Sequence, residues 1–158
     1  MKTKLTFLLS LTFLFLFSGS VYGGDFQDAT DAYERKDYKE AHRLILLLAE
    51  QGHAKAQSNL GLLYRDGQGV PQDYKEAVRL FRLSAEQGVV EAQYNLGLMY
   101  EKGKGVSQDH ALAHVWFNLS GSNGNKDAIE VRNLLDKKMT PSQLENAQEM
   151  ARNWKPKK

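Results

Sequence analysis

AQSNLGLLYRDGQGVPQDYKEAVRLFRLSAEQGVVE, residues 56–91, is followed directly by AQYNLGLMYEKGKGVSQDHALAHVWFNLSGSNGNKD, residues 92–127. Laid over each other at an offset of 36, the two copies agree at about 17 positions. A period of about 20 to 50 residues marks a stacked-repeat architecture, in which each unit buries its apolar face only against the next. Such stacks work by presenting an extended surface rather than by enclosing a reaction. The period therefore points to an interaction function before any single residue is considered.

Each copy reads as two helices. Ala56, Leu60, Leu63 and Tyr64 recur at i, i+4, i+7 and i+8, as do Ala92, Leu96, Met99 and Tyr100, which is one buried helical stripe. Gly61 and Gly97 interrupt that stripe at a cost of about 1 kcal/mol against Ala, so close approach of the paired helix is expected there. The helix ends at Gly67-Gln68-Gly69, matched by Gly103-Lys104-Gly105. Two glycines two apart allow a left-handed cap and a tight reversal. A phosphate loop is excluded, because no strand precedes and no third glycine or Lys-Ser/Thr follows. The second helix opens at Asp73 and Asp109 as N-caps, with Asp73 and Glu76 spaced as a capping box. Its stripe is Ala77, Leu80, Phe81 and Ser84, repeated as Ala113, Trp116, Phe117 and Ser120.

The period extends both ways. Stepping back 36 residues from Asp73, Ala77, Leu80 and Gly88 reaches Asp37, Ala41, Leu44 and Gly52, so residues 38–51 form the second helix of a truncated unit. Its first helix is expected at residues 28–36, joined without the Gly-x-Gly loop. Stepping forward reaches Ala128 and a helix over residues 126–137. Thr140-Pro141-Ser142-Gln143 then supplies an N-cap, an N1 proline and a capping-box glutamine for a last helix ending near Asn153. A final unit that departs from the repeat is expected to close the core with a polar outer face.

The beginning of the chain is of another kind. Lys2 and Lys4 precede an unbroken run at residues 5–17 (LTFLLSLTFLFLF), and small residues follow up to Gly23. That is the pattern of an export signal cleaved after Gly23. The run has 13 residues, about 20 Å as a helix, too short for a membrane core of about 30 Å. With that segment removed, 19 basic residues face 19 acidic ones, so the precursor's pI of 8.7 is no nucleic-acid signature. The chain has no cysteine, which leaves stability to packing alone and excludes a lipoprotein anchor. The expected layout is a signal peptide at 1–23, one repeat domain at 24–154 and a basic tail at 155–158 that frays. Within the domain, a partial unit at 25–55 precedes the full repeats and capping helices occupy 128–154.

The string Ala-Gln-x-Asn-Leu-Gly-Leu-x-Tyr-x-x-Gly-x-Gly-Val-x-Gln-Asp, then Ala, Phe and a closing Gly, resembles the Sel-one-like repeat, a relative of the tetratricopeptide repeat. The resemblance implies an all-α, right-handed α/α solenoid, here of about seven helices, and a role as adaptor or regulator in protein complexes. Many bacterial members are exported. An exported, cysteine-rich subgroup has a proposed penicillin-binding or hydrolase activity, and the absence of cysteine sets this chain apart from it.

Catalytic residues, cofactors and metals are not expected. His110 and His114 have the i, i+4 spacing of a ligand pair but lack a third ligand, and they align with Tyr74 and Val78 in the other copy. His42 and His53 are isolated. Ser84 and Ser120 recur in the packing stripe with no base placed to activate them. The expected activity is non-enzymatic binding of a protein or peptide by a monomer, in the periplasm or secreted, with no nucleic acid and no membrane after cleavage. The competing readings are a hydrolase of the subgroup's kind and a regulator tethered by an uncleaved residues 5–17. Residues offset from the buried stripe of the first helices select Ser58, Leu62 and Arg65 in one copy and Tyr94, Leu98 and Glu101 in the next as partner-binding. On this reading Tyr94→Ala and Leu98→Ala cost no more than about 0.5 kcal/mol, whereas truncating Tyr100 removes core. Asn59 and Asn95, being identical, are expected to hydrogen-bond between units.

Overall fold

The computed structural model describes residues 18–157; most of the export segment, including residues 5–17, lies outside them. Eight helices stand among the described residues, against the about seven expected, and no strand. They are α1 (Ser18–Glu34), α2 (Tyr38–Glu50), α3 (Ala54–Asp66), α4 (Tyr74–Glu86), α5 (Val90–Lys102), α6 (His110–Ser122), α7 (Lys126–Asp136) and α8 (Pro141–Asn153). From α1 to α7 each helix packs on its sequence neighbours, and α8 packs on α6 rather than on α7. The result is an α/α solenoid of helical hairpins.

The repeat is visible atom by atom. Gly67 and Gly103 cap α3 and α5 with φ of 67° and 63°, their N–H groups donating to Leu63 and Met99. The second glycine of each pair has a further duty. A Cβ at Gly69 would strike the backbone carbonyl of Tyr38, and one at Gly105 that of Tyr74. Each loop thus rests on the first residue of the preceding unit's second helix, and only a glycine lets the two backbones meet. Inside the hairpins, a Cβ at Gly61 would lie 2.7 Å from the Phe81 ring and one at Gly97 2.6 Å from the Phe117 ring. Both rings are fully buried, so the close approach expected at these glycines is present and its partner is an aromatic edge.

The polar repeat residues hold the units together. Ser84 Oγ donates to the Ala54 carbonyl at 2.7 Å and Ser120 Oγ to that of Val90 at 2.9 Å. Gln57 and Gln93 reach back to the carbonyls of Ala49 and Ala85, both at 3.3 Å. Gln72 and Gln108 satisfy the carbonyls of Arg65 and Glu101 at 2.8 and 2.7 Å. The carbonyls of Ala49, Ala85, Arg65 and Glu101 lie at helix C-termini, where backbone acceptors have no intrahelical partner, whereas those of Ala54 and Val90 open α3 and α5. Buried apolar residues form two clusters that meet at α4, where Leu80 belongs to the first and Phe81 to the second.

Three expectations need correction. α1 starts at Ser18 rather than near Asp28 and ends at Glu34, so Gly23 and Gly24 lie within a helix. Ala29 and Ala32 are buried against the first core and hold α1 in place. Asp73 does cap α4 through the amides of Lys75 and Glu76, but no capping box forms. Its own N–H donates to the Tyr64 carbonyl, and Glu76 is taken by Arg79. The box at Thr140 and Gln143 is complete. The tail does not fray: the Trp154 ring meets Trp116 edge-on, and Lys157 bonds both the carboxylate and the carbonyl of Glu86. The outer face of the last unit is largely polar, with Ile129, Leu134 and Met150 exposed among its charged and amide residues.

The α1–α2 turn replaces Gly-x-Gly with Lys36 at φ 62°. Left-handed backbone costs a residue with Cβ about 1–2 kcal/mol. Lys36→Gly is therefore expected to stabilise the protein by about 1 kcal/mol after the entropy cost of glycine in the unfolded chain. Urea denaturation checks this, and a loss of stability would show that the Lys36 side chain matters.

Candidate protein-binding surface

The first helices of the units, α3, α5 and α7, share one frame. Their N-caps are His53, Val89 and Asn125, each 36 residues from the next, and Ala56, Ala92 and Ala128 are buried at matching positions. His53, isolated in the sequence, and Asn125 both cap through side chains, His53 Nδ1 accepting from Ala56 N at 3.1 Å.

Of the six expected binding residues, Ser58 is misplaced. It is 3% exposed, because its position on α3 turns toward the neighbouring hairpin. The other five are half-buried. Leu62 lines a small cavity of about 100 Å³ with Thr30, Tyr33 and Ile45. Arg65 and Leu98 come together in a crevice of about 230 Å³ between the two full repeats. Glu101 lies 3.6 Å from Lys138. The Tyr94 ring sits 5.9 Å from that of Phe117, and burial raises its hydroxyl pKa, with the charges of Asp127 and Glu130 adding to the effect.

Tyr94 therefore has a packing role as well as an exposed edge. Tyr94→Ala is expected to cost about 1–2 kcal/mol, for the missing ring–ring interaction and the partial burial, rather than the near-zero of a surface change. The gap to Tyr100→Ala narrows accordingly, Tyr100 being 7% exposed with its hydroxyl accepting from Arg82 at 2.7 Å. Thermal melts of the two variants side by side decide it, and a silent Tyr94→Ala would make the ring a surface group without a packing role.

The asparagines divide. Asn95 Oδ1 accepts from Arg65 Nη1 of the preceding repeat at 2.6 Å, while its amide donates to the Glu91 carbonyl. Asn59 makes no such bond among the described residues, since α1 places Thr30 and Tyr33 near it and no arginine.

Three surface residues escape the helical offset. Leu134 stands 36 residues after Leu98 and is 53% exposed, so Leu62, Leu98 and Leu134 form one row along the stack. The step of 36 that locates Ala128 also reaches it; the loss of the Leu-Gly-x-x-Tyr signature hides it. Lys102 and Lys104 border the same crevice as Leu98.

The histidine pair does not converge. His114 is 2% exposed with Nε2 3.1 Å from Asp136 Oδ1, while His110 lies half-exposed beside Gln108 and Gln143. Among the described residues no three His, Cys, Asp or Glu gather as metal ligands. Burial lowers the His114 pKa from its ordinary 6.5, outweighing the opposing charge of Asp136. Burial lowers that of His42 likewise. A base with a depressed folded pKa binds more protons when unfolded, so stability present above pH 6.5 is lost as pH falls toward the folded values. His114→Gln is expected to flatten that fall below pH 6.5. An unchanged slope in pH-dependent melts would remove His114 as its source.

Sel1 repeats match residues 27–53, 54–89 and 90–125. The fold is similar to that of a protective antigen present in uropathogenic Escherichia coli strains, whose crystal structure displays an SLR fold. That structure aligns at a TM-score of 0.79 and 31% identity, over 82% of this chain and 29% of that one. A Sel1 repeat protein from Oxalobacter formigenes aligns at 0.66 and 31% identity, over 70% of this chain and 45% of that one. The chain thus spans less than half of either structure. No curated protein matches. Sel1 repeat proteins generally mediate protein–protein interaction. With three matched units and a stack built on their shared residues, the chain belongs to the Sel1 repeat family.

Proposed function

We propose that the protein is an exported, non-enzymatic scaffold that binds a protein partner on the concave face formed by its first helices. One observation carries this reading. The repeat's polar residues (Ser84, Ser120, Gln57, Gln93, Gln72 and Gln108) are all engaged in holding helix ends. Leu62, Leu98 and Leu134, by contrast, recur every 36 residues without being buried, and Lys102 and Lys104 border the crevice beside Leu98. Isolated, half-exposed apolar groups framed by polar ones suit a partner's anchors.

Export rests on Lys2, Lys4, the run at residues 5–17 and the small residues up to Gly23. Among the described residues no helix is long and apolar enough to cross a membrane.

A photo-crosslinking amino acid at Leu98, against one at Arg79 on the outer helix α4, tests the binding face in the native host. A discrete adduct at position 98 and none at 79 is the expected result; adducts only at 79 would move the site to the other face. Mass spectrometry of the purified protein is expected to find Gly24 first, and an intact residues 1–23 would replace export by tethering.

A further inference from the structure

We propose that the crevice between the two full repeats receives an acidic side chain of an extended polypeptide, with an adjoining apolar residue seated on Leu98. This deepens the concave-face reading and rests on it. The crevice lies between the loop after α3, the start of α4 and the last turn of α5. Its volume of about 230 Å³ is below the roughly 300–1,000 Å³ of small-molecule sites but accommodates a side chain.

Its charge is unbalanced. Three of the five N–H groups of Arg65 are engaged, the Nε–Nη2 edge gripping Asp66 at 2.6 and 2.7 Å and Nη1 bonding Asn95 at 2.6 Å. Lys102 and Lys104 form no ion pair among the described residues. The Lys104 ammonium is held at the mouth, 5.0 Å above the Tyr74 ring and 3.4 Å from its hydroxyl. Three cations thus face one anion.

The fold does not demand this charge. One repeat earlier, the positions of Lys102 and Lys104 are Asp66 and Gln68, and Gln68 accepts from the Tyr33 hydroxyl. A base in the last turn complements the helix dipole, yet Asp66 occupies the matching place with the opposite sign. The lysines are therefore a feature of this crevice and not of the repeat.

A carboxylate fits better than a phosphate. Phosphate favours an open arginine fork or free amides at a helix start. Here the fork is occupied, Asp73 already accepts from the Lys75 and Glu76 amides of α4, and the ends of α3 and α5 present carbonyls. Two ammonium point charges beside an apolar floor suit a monoanion followed by an apolar residue.

The test is random-peptide display on the protein, then anisotropy with the selected peptide in labelled form. The double variant Lys102→Asp/Lys104→Gln carries the residues of the preceding repeat, so it is expected to fold, which a thermal melt verifies. Expected are peptides enriched in Asp or Glu beside an apolar residue, and an affinity about tenfold lower in the double variant. Affinity is also expected to weaken as salt rises from about 50 to 300 mM. Peptides without acidic bias, bound equally by the double variant but no longer held by Leu98→Ala, would overturn the acidic chemistry and leave the concave face standing. Binding unaffected by either variant would overturn both. Failure to enrich any peptide, or displacement by millimolar inorganic phosphate but not acetate, also defeats the proposal.

Discussion

Gly105→Ala is expected to destabilise the protein by about 2–5 kcal/mol, against about 1–2 kcal/mol for Gly103→Ala only two residues away. Both positions have positive φ, 69° and 63°, and share the left-handed penalty of about 1–2 kcal/mol. They differ in what a methyl group would meet. At Gly103 the nearest atoms are the Gln108 Cβ and backbone N at 3.2 and 3.3 Å, a tight contact that a small shift relieves. At Gly105 the nearest are those of the Tyr74 backbone, fixed as the first residue of α4. Overpacking against unyielding atoms adds about 1–3 kcal/mol, and here it would wedge one repeat from the next. Denaturant titration of both variants measures the difference. Equal losses would mean that the second glycine serves only the turn.

Phe117→Ala is expected to cost about 3–5 kcal/mol as a fully buried aromatic truncation, and to reverse the effect of Gly97→Ala. In the native background a methyl at Gly97 would lie 2.6 Å from the Phe117 ring, which the core holds in place. That collision outweighs the roughly 1 kcal/mol that alanine gains over glycine in a helix. Without the ring the collision is gone, the propensity gain remains and the methyl fills part of the cavity. Gly97→Ala should then stabilise. A double-mutant cycle reads the coupling directly. If Gly97→Ala costs the same in both backgrounds, the ring does not explain the glycine.

The helices of the two full repeats are legible in the sequence nearly to the residue, because a 36-residue period states every cap and stripe twice. The start of α1 is not, because one partial copy has no second statement to correct it. The half-exposed stripe proposed for binding is legible in part. Helical offset selects Leu62, Arg65, Tyr94, Leu98 and Glu101 as half-buried surface, while Ser58 fails because offset along one helix says nothing of the hairpin beside it.

The sequence by itself determined the hairpin, its length, its caps and the stacking of units, since these follow from local periodicity and turn chemistry. Tertiary structure alone decided which atoms the repeated positions serve. Gly69 and Gly105 prove to touch the backbone of the unit before, and Ser84 and Ser120 hold carbonyls 30 residues away. It also decided that Lys102 and Lys104 share a crevice with Leu98, and that the basic tail returns to Glu86. Packing between units depends on how helices lie in space, and a period records that such packing recurs without naming the atoms that make it.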